Sequence, residues 1–252
     1  MSDIVTDISI PTLASAHTIE NARDGWDAWR ANRLRGVAAP TGNLALIETR
    51  WLAAGDETTV EEALAGRPET VTATELTRRS LESGELERGI RLWDAASPAI
   101  RAFETIEVFP FDPSWVIEAT FTPVSDDRTI PFEHIRDNGL TRDLVVPGDI
   151  AFERDGVEYV LSAFDDDGTL LLVFGDPSNG AEGDEGTYAS GRFLFVEHQG
   201  DDRVVLDFNR AFVPPCGFSD QYNCPLPPRN NRFPVPVTAG EKRVVFGDGF
   251  QH

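Results

Sequence analysis

From Ile150 onward the chain alternates apolar and polar residues with the two-residue period of half-buried strands, interrupted by Gly and Asp clusters. Ile150–Glu153, a turn at Arg154-Asp155-Gly156 and Val157–Phe164 read as a hairpin. Asp165-Asp166-Asp167-Gly168 turns the chain again into Leu170–Phe174. The Gly- and acid-rich stretch Gly175–Gly186 reads as a loop, followed by strands at Gly191–His198 and Arg203–Phe208 joined by Gln199-Gly200-Asp201-Asp202. Val244–Phe246 reads as a closing strand. Upstream, Asn43–Leu52 has the apolar density of a buried strand or strand pair, and Val60–Ala65 reads as a short helix followed by edge strands. Gly89–Trp93, Phe103–Phe111 and, after the Asp112-Pro113 turn, Trp115–Phe121 alternate as further strands.

Short strands with Gly/Asp turns predict a mainly β fold, either an antiparallel β-sandwich or a partly open barrel, with an N-terminal α-helix. That helix is expected over Thr18–Arg35, because Ile19, Ala22, Trp26, Trp29 and Arg33 recur at spacings of three and four and Gly36 with Pro40 ends the run. Met1–Leu13 reads as an acidic lead-in. The expected division is 1–36 as lead-in and helix and 37–252 as one β-rich domain; two subdomains meeting near Gly139–Gly148 are the alternative.

Charge narrows the function. The chain has 43 acidic and 22 basic residues, a formal net charge of −21, and 21 of the basic residues are Arg. That balance excludes ordinary electrostatic binding to nucleic acid or anionic membrane, which needs a positive face. An acidic surface with a single lysine reads as adaptation to high salt, where screening removes self-repulsion. No apolar run is long enough to span a bilayer, and the N-terminus has acids where a secretory signal needs a basic region, so a cytoplasmic protein is expected.

The unusual residues concentrate in Val204–Lys242, which holds both cysteines, the lysine and many prolines, with a Pro/Cys loop at 213–236. Cys216 and Cys224 are separated by seven intervening residues, a poor zinc spacing, and none of His17, His134, His198 and His252 is within ten residues of either. They are weak metal candidates; a thiol–disulfide switch or a structural pair pinning the loop are the other readings. Asp207 and Asn209, expected on one face of an alternating strand, suit either hydrogen bonding to the proline loop or a polar pocket floor with Asp207 as acid or base. Arg210 follows them. Lys242 suits an ion pair or an anionic ligand. Tyr188 and Arg192 would place a phenol and a guanidinium at one pocket mouth. Asp176, Glu182, Asp184 and Glu185 superficially suggest calcium, but their spacing fits no helix-flanked loop. Asp94, after Arg91 and Trp93, is a further polar cluster that suits a turn. No G-x-S-x-G elbow, P-loop, H-E-x-x-H or dinucleotide fingerprint occurs.

The segments GIRLWDAASPAIRAFETIEVFPFDPSWVIEATFTP, TYASGRFLF and VVLDFNRAFVPPCGFSDQYNCPLPPRNNRFPVPVTAGEK together resemble a bacterial and archaeal family, domain of unknown function 1684. The resemblance runs from roughly Trp26 to Lys242 and is most specific in DFNRA, PPC, CPLPP and AGEK. It implies a mostly β, soluble protein and brings no agreed activity, cofactor or catalytic residue. In the family pattern a Glu often precedes the Asn after CPLPP, where this chain has Asn230, and the insert Ala181–Gly186 is longer than usual.

The leading expectation is a small-molecule-binding β module with a polar pocket near the Pro/Cys loop. Tyr188, Arg192, Asp207, Asn209 and Lys242 would contact a small polar or anionic molecule, without a cofactor. The alternatives are a hydrolase- or lyase-type enzyme using Asp207 as acid or base, with Lys242 or Arg192 stabilising negative charge, and a structural or partner-binding protein without a pocket. The oligomeric state is left open.

Overall fold

A computed structural model describes residues 21–81, 83–124, 128–198 and 202–250. In chain order the elements are α1 (Trp26–Val37), β1 (Leu46–Trp51), α2 (Val60–Leu64), β2 (Val71–Arg79), β3 (Leu86–Asp94), α3 (Pro98–Ala102), β4 (Phe103–Val108), β5 (Val116–Pro123), β6 (Thr129–Glu133), β7 (Thr141–Val145), β8 (Gly148–Arg154), β9 (Val157–Asp166), β10 (Thr169–Phe174), β11 (Arg192–His198), β12 (Arg203–Asp207) and β13 (Glu241–Phe246). Strands β5, β8, β9, β10, β11 and β12 pair antiparallel in that order, and β12 returns to β5 to close a barrel. Apart from the inserted β6–β7 hairpin, the barrel is an up-and-down meander. Its tight turns follow local chemistry: Asp155-Gly156 and Asp167-Gly168 have positive φ at both residues, as two-residue hairpin loops require.

Alternation decides what faces inward. Ile117, Ala119, Phe121, Leu161, Ala163, Leu172, Leu194, Val196, Val204 and Leu206 fill the barrel, and Trp115, Phe174, Phe208 and Phe233 interlock edge-on at one end. The interior is therefore a packed core. The opposite faces of β9, β10 and β11 are buried too: Phe164, Leu171, Val173 and Phe193 pack against Leu46, Trp93, Phe132, Phe212, Cys216, Tyr222 and Cys224. Burial on both faces is why Leu170–Phe174 reads as a continuous apolar run.

Outside the barrel, β1, β3 and β2 form an antiparallel sheet in that order, with Ala63 and Leu64 of α2 packed against Leu52, Val71 and Ile90. The predicted closing strand Val244–Phe246 lies in β13, which pairs with β4 rather than with the barrel. Helix α1 starts at Trp26 after a turn through Asn21–Gly25 and runs past Gly36 to Val37. The expected lead-in Met1–Leu13, the first residues of the expected helix and most of the Gln199–Asp202 turn lie outside the described residues. Hairpin β6–β7 was not foreseen, because Thr129–Glu133 carries a proline and Thr141–Val145 alternates in exposure without alternating clearly in apolarity. Among the described residues no helix is long and apolar enough to cross a membrane.

The barrel seam between β9 and β10 has one special device. Their ladder pairs Ala163 with Leu172, and beyond that point Asn231, fully buried, stands between the two strands. Its Nδ2 donates to Ser162 O and Val173 O, both at 2.8 Å, and its Oδ1 accepts from Ser162 N at 2.9 Å. One amide side chain thus replaces the missing ladder. An Asn231→Ala protein would leave those three backbone groups buried without partners. The expected loss is about 3–5 kcal/mol of stability, read as a lower denaturation midpoint in urea, and a change below about 1 kcal/mol would mean that the seam closes another way.

Candidate functional site

The polar residues singled out by sequence fall into two buried clusters. Arg192 is fully buried; Nη2 donates to Asp176 Oδ2 at 2.8 Å and Val237 O at 2.7 Å, and Nη1 to the carbonyls of Ala239 and Glu241. Burial pulls the guanidinium below its ordinary pKa, opposed by Asp176 and Glu241. Beside it, Tyr188 N donates to Lys242 O at 2.8 Å and Tyr188 Oη to Cys216 O at 3.0 Å. Lys242 Nζ lies 3.8 Å from Glu107 and 5.4 Å from the centre of the Phe109 ring.

Asp207 and Asn209 form the second cluster. Strand β12 stops at Asp207, and Phe208–Arg210 is a 3-10 turn, so the two side chains meet across a cap rather than along one strand face. Asp207 Oδ1 accepts from Asn209 N at 3.1 Å and Nδ2 at 2.9 Å, and Arg210 Nε is 3.4 Å from Asp207 Oδ2. Asn209 Nδ2 donates to Asp112 O and its Oδ1 accepts from Asp112 N, tying the turn to the loop before β5.

Cys216 and Cys224 are both free and buried, with Cys216 N donating to Cys224 Sγ at 3.3 Å. The contact with Cys224 lowers the Cys216 thiol, while burial raises Cys224 well above the ordinary thiol value. Asp176 is held by Arg192 and Ser178, and Asp94 Oδ1 accepts from Ala96 N in a turn. Among the described residues no three His, Cys, Asp or Glu side chains gather in a metal-holding group.

A different set of residues surrounds a cleft of about 570 Å³ on the flank of the molecule. One wall comes from β1, β2 and β3 (Thr49, Trp51, Arg78, Arg79 and Arg91) with Ser80 and Leu81. The other comes from hairpin β6–β7 (His134, Thr141, Arg142, Asp143 and Leu144). Gln221 and Asn223 of the Pro/Cys loop complete the lining. None of Tyr188, Arg192, Asp207, Asn209 and Lys242 takes part. Thus, among the described residues, four arginines meet one carboxylate in the lining of a chain whose net charge is −21.

Local contacts fix this lining. Arg142 holds Asp137 in a bidentate pair at 2.7 and 3.2 Å, and Asn223 Nδ2 donates to the same carboxylate at 2.9 Å. Burial pushes Asp137 up, but Arg142 and Asn223 outweigh it and hold the carboxyl below its ordinary value. Arg78 donates to Glu87 at 2.7 Å while its guanidinium lies 4.0 Å from the centre of the Trp51 ring. Arg91 lies 5.3 Å from the centre of the Tyr222 ring. The end of β6 is stitched to the loop through Ile135 N to Cys224 O and Leu226 N to Glu133 O.

His134 is the distinctive member. It is 2% exposed, and its Nδ1–H donates to Phe132 O at 3.1 Å, which leaves Nε2 as the acceptor of a neutral imidazole. Among the described residues Nε2 has no hydrogen-bond partner, and neither has the buried Thr49 Oγ1. Burial lowers the imidazole pKa, partly opposed by the Phe132 carbonyl and Asp137. A buried polar atom left unpaired costs about 1–3 kcal/mol, so His134 Nε2 and Thr49 Oγ1 mark where a bound group recovers free energy. In the sequence His134 stands out only as one of four histidines distant from both cysteines, and Arg91 only beside Asp94. No periodic signal joins residues from five separate segments.

Two measurements follow. Because the folded His134 pKa lies below the unfolded value of 6.5, the unfolded chain binds this proton first. Its stabilising contribution is complete above that value and is lost as pH falls towards the folded pKa. Urea midpoints of the wild-type protein should therefore drop over that interval by more than those of His134→Gln, and parallel pH profiles would exclude the effect. For the cysteines, both thiols should resist a thiol reagent in the native protein and react on unfolding; fast native reaction of either would contradict their burial.

Comparison with known proteins adds kinship. No curated protein matches the chain. A solution NMR structure of the uncharacterized protein from gene locus rrnAC0354 of Haloarcula marismortui is similar at 32% identity and a TM-score of 0.45, covering 56% of this chain and 77% of that one. Residues 101–242, more than half of the sequence, match the family model described as Protein of unknown function (DUF1684), and the chain belongs to that family.

Proposed function

We propose that the protein is a binding module for a small anionic molecule, held in the cleft between β1–β3 and the β6–β7 hairpin beside the Pro/Cys loop. One observation carries this reading: in a chain of net charge −21, Arg78, Arg79, Arg91 and Arg142 share a cleft of about 570 Å³ with a buried histidine whose Nε2 has no partner among the described residues. A concave site of this volume with few convergent polar groups suits a metabolite-sized ligand. Guanidinium groups donate in a planar fork that matches carboxylate and phosphate oxygens. Trp51, Leu81 and Leu144 supply apolar contact to the ligand body. The enzymatic reading that uses Asp207 has weaker support, since that carboxylate is 3% exposed and engaged with Asn209 and Arg210.

We also infer a cytoplasmic protein adapted to high salt, on the strength of the acid excess and the single lysine. Its thermal midpoint should then rise from dilute buffer to molar potassium chloride; a flat or falling curve would count against it.

The binding test is calorimetry or thermal shift with a panel of carboxylates, phosphate and uncharged controls at low salt. Anions should bind in preference to neutral analogues, and Arg79→Gln combined with Arg91→Gln should weaken binding about tenfold or more while the protein stays folded. A flat panel, or binding indifferent to both substitutions, would remove the proposal.

A further inference from the structure

Resting on the anion-binding reading, we infer that the occupant of the cleft is an oxyanion that brings its own hydroxyl, such as a hydroxy acid or hydrogen phosphate, and that His134 Nε2 receives that O–H. The arginines alone do not demand this. They donate, and any anion of suitable size would satisfy them. His134 imposes the opposite requirement. Its Nδ1–H is committed to Phe132 O, so the neutral ring offers only a lone pair at Nε2. The ring is buried against the end of β6, where the His134 backbone bridges to Pro225, so its orientation is set by the fold rather than by a ligand.

An anion without a proton would set its own lone pairs against that nitrogen. A ligand carrying both an anionic oxygen and an O–H pairs with every group: the anion with Arg79 and Arg91, the hydroxyl with His134. Thr49 Oγ1, also buried in the lining and without a partner among the described residues, both donates and accepts and so imposes no sign. The cationic imidazole, which would remove the requirement, is disfavoured because burial lowers its pKa. A site arranged to hydrogen-bond a substrate hydroxyl discriminates strongly against the analogue lacking it, because the buried protein atom is then left unpaired.

The test compares pairs of probes that differ in the hydroxyl. Malate and succinate share two carboxylates and a carbon chain, and only malate has the O–H. Phosphate and sulfate share tetrahedral shape and, at mildly alkaline pH, a double charge, and only phosphate keeps a proton. Titration calorimetry of the whole protein should give at least one pair in which the hydroxylated member binds about tenfold tighter or more. Preference confined to malate over succinate assigns a hydroxy acid, and preference confined to phosphate over sulfate assigns hydrogen phosphate. His134→Phe should abolish the preference. Equal binding within both pairs would overturn the hydroxyl inference and leave the anion site standing. Absence of binding by all four probes and by the wider anion panel would overturn both. If His134→Phe does not fold, the wild-type comparison alone decides, and His134→Gln, whose amide keeps an acceptor, should retain part of the preference.

Discussion

Arg192 is the interaction on which the rest of the fold depends. A guanidinium fully removed from water is tolerable only if its charge is met and its donors are used. Asp176 meets the charge, and the carbonyls of Val237, Ala239 and Glu241 take the donors. Three carbonyls turned to one point require a contorted backbone. Gly240 supplies it with a φ of +79°, at a place where a Cβ would come within 2.6 Å of both Phe208 O and Ala211 O. The AGEK motif is therefore a backbone mould around an arginine of β11.

The same segment passes the constraint outward. Glu241, 1% exposed, accepts from Arg33 Nε at 3.0 Å and from Val213 N at 2.8 Å, so one carboxylate fixes helix α1 and the first residue of the Pro/Cys loop together. Arg33 also donates to Val213 O and lies over the Phe212 and Phe218 rings. From Val213 the loop runs against the outer face of the barrel, with Ser219 Oγ bonded to Leu46 O, and delivers Gln221 and Asn223 to the cleft. The motif-rich stretch is thus largely scaffold, and its far end reaches the candidate site.

This explains what the sequence could and could not reveal. Asp155-Gly156 and Asp167-Gly168 announced their hairpins because the left-handed conformation needed there has few residue solutions. The barrel strands were legible because one face of each must be apolar. Hairpin β6–β7 was not, since the apolar residues it gives the core, Ile130, Phe132 and Leu144, flank Pro131 or stand among the charges of β7 that line the cleft. Net charge is silent in a more basic way: −21 is a sum over the whole chain, and it conceals a cleft with four arginines drawn from β2, β3 and β7. Such a grouping exists only after folding, so neither period nor spacing encodes it. The same holds for Asn231, whose role depends on two strands diverging around it.

The distribution of unsatisfied polar atoms separates scaffold from site more sharply than residue type does. Asp207, Asn209 and Asn231 are as polar as anything in the cleft, yet each is buried in bonds to its own chain. Among the described residues Arg192 Nε has no hydrogen-bond partner, but the guanidinium lies 5.2 Å from the centre of the Phe174 ring, and Arg192 is absent from the cleft lining. His134 Nε2 and Thr49 Oγ1 differ because their residues line a concave space together. Folding alone gains nothing from an acceptor placed beside a group of cations and left unpaired. A bound molecule does gain, and its chemistry is written in the signs of the groups around it: donors from the arginines, a lone pair from the histidine.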